Sequence, residues 1–230
     1  MRKLIITTIA VLTASICMCG CSEQPLNKYG IQNGDIVFVG LPMTYKLVNH
    51  HDTSYVDTIS VEGFDSTEIN FIHAAILEVD EQGNVWAIEA TKKRGVDRHP
   101  LDTFLVDFTL RNGTLPYLEV MRLKDNSNVD EYVENAKQFL GEEYDIDFVQ
   151  DNGKHYCTEL IYDSFVTDST HVFNLEPIDF GDSRGIIPPY WKQVYAILGK
   201  DIPQGEPGTL PVQMHRSDKL VSHPEITFGK

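Results

Sequence analysis

Positive charge is scarce in this chain. Nineteen Lys and Arg face 34 Asp and Glu, for a net charge of −15. There is no basic stripe and no nucleic-acid motif, which excludes a nucleic-acid partner and leaves the acidic surface as a solubility device. Metal-ligand spacing is lacking too. His50 and His51 stand side by side, but neighbours on a strand point opposite ways and no second ligand pair follows at zinc-like spacing. A solvated loop is the expectation there, with no metal and no cofactor. No internal repeat, low-complexity block or long linker divides the body. Cysteine is the last scarcity. There are four, and Cys17, Cys19 and Cys21 all fall near the amino terminus.

That terminus reads as an export signal. Arg2 and Lys3 precede an apolar run over 4–18, and polarity rises at Ser22. The run is too short and too poorly flanked for a mature membrane span. Gly20 before Cys21 resembles a bacterial lipobox, although Met18 and Cys19 fit it imperfectly. The expectation is a signal peptide over 1–20, a lipid anchor on Cys21 and one domain over 21–230. The protein would then be exported and held at the membrane of the cell envelope. The alternative is ordinary signal cleavage, with Cys21 a plain thiol. Under the first reading Cys157 is the one unmodified cysteine left, in a compartment where disulfides form. It has no structural disulfide to make, so a free reactive thiol is indicated.

The residues around Cys157 support chemistry. Leu160, Ile161, Ser164 and Phe165 recur at helical spacing, with Glu159 and Asp163 between them. Gly153 and Lys154 supply a turn just before, so Cys157 falls in the first helical turn. Unpaired backbone N–H groups and the helix dipole favour a thiolate there and can hold an oxyanion. The bland alternative is a small buried thiol packed like an alanine.

A second feature lies upstream. Residues 71–79 read as a strand, 80–84 as a turn and 85–90 as the return strand. The apolar runs predict burial on both faces. Folding about the turn brings Glu89 opposite His73 or diagonal to it. A histidine oriented by a carboxylate is the base half of a cysteine triad. The competing reading is a core histidine satisfied by a nearby carboxylate.

The remaining segments are assigned more coarsely. A turn at Asn33-Gly34 feeds a strand over 35–40, and 42–70 reads as irregular. A basic turn spans 92–96, and 100–106 reads as a short helix or strand. Residues 117–123 form a strand, and 129–140 an amphipathic helix ended by Gly141. Residues 188–191 read as irregular, 194–198 as a strand or helix end, and 203–209 as a loop over the domain.

The order of these motifs resembles the circularly permuted NlpC-like, or permuted papain-like, cysteine amidases. Gly34-Asp35-Ile36-Val37-Phe38 opens the body, His73 sits in a strand, Glu89 in the next, and Tyr156-Cys157-Thr158-Glu159-Leu160 starts a helix. The histidine precedes the cysteine, as in the permuted group. The resemblance implies an α+β papain-like domain, an antiparallel barrel-like sheet against helices. It implies Cys157 as nucleophile, His73 as base and Glu89 as third member, with Tyr144 and Tyr156 as supporting residues. Ile72 departs from the pattern, because relatives often carry a smaller polar residue before the histidine. The segment 42–70 is an insertion with room to cover the cleft.

The expected function is hydrolysis of an amide bond through an acyl-enzyme, in cell-wall peptides, by a monomer. Two other readings stand beside it: the same triad acting on a lipid or acylated small molecule, and a non-enzymatic binding lipoprotein. Mass spectrometry of the mature amino terminus checks the anchoring. It should find an acylated Cys21, and an unmodified start at another residue would sink that expectation.

Overall fold

The computed structural model describes residues 27–49, 52–58 and 63–228. Gly34, at φ 79°, turns the chain into β1 (Asp35–Pro42). β2 (Tyr45–Asn49) and β3 (Asp52–Thr58) pair antiparallel with each other. This corrects the expectation of an irregular stretch over 42–70. Tyr45, Val48, Thr53, Tyr55, Val56 and Thr58 are β-branched or aromatic and favour extended chain despite their polar neighbours. His50 and His51 lie outside the described residues, as do the signal segment and Cys21.

β4 (Ile69–Val79) and β5 (Val85–Thr91) form the expected hairpin. Asp80 shapes its turn. One carboxylate oxygen accepts from the Gln82 and Asn84 backbone N–H groups, and the other from Trp86 Nε1 at 2.9 Å. β6 (Gly95–Pro100) follows at once and leads into α1 (Leu101–Phe108), which settles 100–106 as a helix. β7 (Tyr117–Leu123) and α2 (Val129–Gln138) come next. α3 (Cys157–Ser164) opens on the cysteine.

Two short pairs break up the remainder. β8 (Val166–Thr167) joins β9 (Thr170–His171), and β10 (Glu176–Pro177) joins β11 (Pro207–Gly208). α4 (Pro189–Leu198) lies between the strands of the second pair. It corrects the irregular reading of 188–191. Pro189 suits a first helical position, and Trp191, Tyr195 and Leu198 share one face. α5 (Pro211–His215) and β12 (Leu220–Ser222) complete the described chain.

The main sheet runs β12-β7-β1-β4-β5-β6, antiparallel at every pairing. Both faces of its central strands are buried. Ile36, Phe38, Ala74, Ile76 and Ile88 meet Leu160, Ile161 and Phe165 around α3. On the other face Val37, Val39, Ala75 and Ala87 meet Leu101 and Phe104 of α1. A third cluster, with Phe148, Tyr156, Phe180, Trp191 and Tyr195, seats α4. The architecture is the expected mixed α+β fold with a mostly antiparallel sheet. Among the described residues no helix is long and apolar enough to cross a membrane.

Gly95 is where backbone geometry is tightest. Its φ is +70°, and a Cβ there would lie 2.2 Å from the Glu142 carbonyl oxygen. That oxygen accepts from Val96 N, while Gly141 N donates to Val96 O, so the start of β6 is laced to the segment after α2. Gly95→Ala combines a left-handed conformation with a backbone clash and should cost about 2–4 kcal/mol. Urea unfolding measures this, and a loss below about 0.5 kcal/mol would mean that the lacing yields freely.

Candidate active site

A bulge aims the histidine. β1 and β4 pair in register from Asp35↔Leu77 to Val39↔His73, and the next pair is Gly40↔Phe71. Ile72 is therefore the extra residue. A bulge re-aims neighbouring side chains, and such features cluster beside active sites. Ile72 and His73 both line the same cleft, whereas Phe71 belongs to the opposite core.

His73 is buried and flanked by α1. Its ring stacks on Phe108 with centroids 5.0 Å apart. Nε2 lies 2.6 Å from Glu89 Oε2. A carboxylate only accepts, so the imidazole donates through Nε2 and keeps Nδ1 for another partner. The β4–β5 ladder runs as far as Ile76↔Ile88, just short of Glu89, and the two side chains meet diagonally. Glu89 is almost fully buried. Burial pushes its pKa up, but the His73 hydrogen bond and the nearby His73 and His99 rings outweigh that and bring it down to about 2.

Cys157 opens α3, only 4% exposed, and lines the cleft with His73 and Glu89. Burial opposes the charged imidazole. The Cys157 charge and hydrogen bond, then Glu89, override it and push the His73 pKa up to about 10. The structure thus brings together the three residues picked from the sequence.

Tyr144 is delivered by a bridge to His155, with Asp145 N donating to His155 O. Tyr144 and Tyr190 both line the cleft, and both phenols are held well above their usual pKa by burial and then by the charge of Cys157. They remain protonated donors. Tyr156 supports the site from behind. Its ring stacks on Phe148 and its hydroxyl accepts from Gln150 Nε2 and Thr209 N. With Thr158 Oγ1 donating to Thr209 O, this pins the late loop to the cysteine helix.

The histidine strand precedes the cysteine helix, and both converge on one cleft. A family description covers most of this arrangement: permuted papain-like amidase enzyme, YaeF/YiiX, C92 family, over residues 30–222. The chain belongs to that permuted papain-like amidase family.

A permuted papain-like amidase is a hydrolase of amide bonds. A crystal structure of YiiX from Escherichia coli O157:H7 shares the fold, with a TM-score of 0.55 and 18% identity over 84% of this chain and 96% of that one. Among curated proteins, none matches the sequence significantly. YiiX is described there as a metalloprotein. In this amidase, among the described residues, no group of three or more His, Cys, Asp and Glu is placed to hold a metal ion.

Sequence reasoning missed three residues of the site. Phe108 falls just past the segment 100–106 read as helix or strand, at the end of α1. Tyr190 sits in one read as irregular. His99 escaped because β6 was not assigned: Val96 is the one apolar residue in Val96-Asp97-Arg98-His99, too little for a strand pattern.

The depressed Glu89 pKa has a consequence for stability. Its folded value, about 2, lies below the ordinary glutamate value of 4.5, so its contribution is complete above about pH 4.5 and lost as pH falls toward 2. The stability difference between native protein and Glu89→Gln should therefore shrink across that window in urea titrations. A difference that stays constant from pH 5 to pH 2 would contradict the assignment.

Proposed function

We propose that this chain is a cysteine amidase in which Cys157 is the nucleophile, His73 the acid–base and Glu89 the residue that orients it. The observation that carries the reading is the cleft that Cys157, His73 and Glu89 line together, with Glu89 Oε2 2.6 Å from His73 Nε2. His73 keeps its proton beside the sulfur. The thiolate attacks the amide carbonyl carbon, and the electron pair moves to oxygen. Backbone N–H groups at the α3 start, with the Tyr144 and Tyr190 phenols nearby, are the donors available to that oxyanion. Collapse breaks the C–N bond, and the amine leaves with the proton from His73. Water then gives its proton to His73, attacks the thioester and releases the acid, restoring the thiolate.

The cleft, about 620 Å³, bears on the substrate. Ile72, Phe108, Tyr190, Trp191, Val194 and Leu198 give it a largely apolar wall. That favours the second substrate reading, an acylated small molecule or lipid amide, over a polar cell-wall peptide. Lipid attachment through Cys21 would hold the enzyme at a membrane surface in the cell envelope, close to such amphiphiles.

Cys157→Ala should abolish turnover, by more than about a thousandfold, with little change in stability. Glu89→Gln should stay folded and lose between ~10-fold and ~10⁴-fold in kcat. The decisive assay incubates the enzyme with long-chain N-acyl amides and, separately, with cell-wall muropeptides, and seeks a thioester on Cys157 by mass. An adduct from the acyl amides supports the reading. Peptide adducts alone would return the substrate to the cell wall, and a Cys157→Ala variant with native activity on both would remove the mechanism.

A further inference from the structure

Glu89 uses one oxygen for His73. The other, Oε1, faces His99 Nε2 at 3.3 Å in an ion-pair contact, and neither atom has a hydrogen-bond partner. Both residues are buried. An unpaired carboxylate oxygen taken out of water is costly, and the arrangement persists only if something faces it. His99 sits on β6 opposite Ala87, two ladder steps from the Glu89↔Asp97 pair, on the face covered by α1. Its second nitrogen, Nδ1, lies 3.2 Å from Asp97 Oδ2. The charged groups around it are Glu89 from β5, Asp97 from β6, and Arg94 from the intervening turn, which Asp107 of α1 holds in place.

We propose that His99 is a positioning residue for this site: it holds the second oxygen of Glu89, so that the first stays aimed at His73. The inference rests on the proposed roles of Cys157, His73 and Glu89. The chain of contacts runs from Asp97 through His99 and Glu89 to His73 and ends at the nucleophile. A hydrogen-bonded partner beyond an orienting carboxylate fixes its rotamer, much as outer partners fix ligating histidines. Without a donor at Oε1, Glu89 turns or takes up a proton, and its hold on His73 weakens.

The sign of the effect separates positioning from mere charge. If His99 acted only as a nearby cation, removing it would strengthen the Glu89 field and raise the His73 titration midpoint. Positioning predicts a fall.

Two variants of the full mature chain test this, His99→Leu and His99→Gln, read by nitrogen-15 NMR titration of His73 and by the rate of Cys157 alkylation with iodoacetamide. His99→Leu fills the space but offers no donor. It should lower the His73 midpoint by about one unit and slow alkylation at pH 7 by about tenfold. His99→Gln keeps an uncharged N–H toward Oε1 and should stay within about twofold of native. An unchanged or raised midpoint in folded His99→Leu overturns the proposal. Should His99→Leu fail to fold, a His73 midpoint in His99→Gln as low as predicted for the leucine variant overturns it instead. The parent reading fails differently: His73→Ala would then leave alkylation of Cys157 unchanged.

Discussion

A carboxylate removed from water governs this site. Glu89 is 1% exposed, and burial alone would favour its neutral form. It stays charged because His73 donates to one oxygen and His99 faces the other. A buried ion pair of this kind is weak support for stability, since desolvation consumes most of the Coulombic gain. Its value lies in direction. It fixes one imidazole nitrogen, and so decides which nitrogen faces the sulfur. The pair is also vulnerable, because removing either member strands a charge in the interior.

The fold supplies the means to hold that pair. The bulge at Ile72 turns His73 toward the cleft while the rest of β4 keeps its alternation between two cores. Phe108 of α1 stacks on the imidazole and shields it. Gly95 lets the turn after β5 approach the Glu142 carbonyl, which sets the course of β6 and therefore of His99. From the other side, Tyr156 and Thr158 tie the start of α3 to the loop at Thr209. Cys157 is thus placed by rigid elements rather than by a mobile loop, as a precisely built site requires.

Much of this was legible in the sequence, for identifiable reasons. The β4–β5 hairpin showed itself through two apolar runs around Asp80-Glu81-Gln82-Gly83-Asn84, and Glu89 and His73 followed from folding it. Cys157 was marked by its solitude and by the helical spacing after it. Three parts were hidden. The β2–β3 pair carries polar residues between its β-branched ones, which masks the strand pattern. Tyr190 falls just after two prolines, which read as irregular chain although Pro189 opens a helix. The bulge at Ile72 depends on register against β1, a tertiary fact that no local pattern encodes.

The central claim is that His73, flanked by Cys157 and Glu89, holds its proton through neutrality. Nitrogen-15 NMR of His73 in the native protein and in Cys157→Ala measures it most directly. The account predicts a native ring that stays protonated through neutrality and titrates near pH 10, and a midpoint well below that once the sulfur is removed. A ring that is neutral at pH 7 in the native protein, or one whose titration is indifferent to the loss of Cys157, would contradict it.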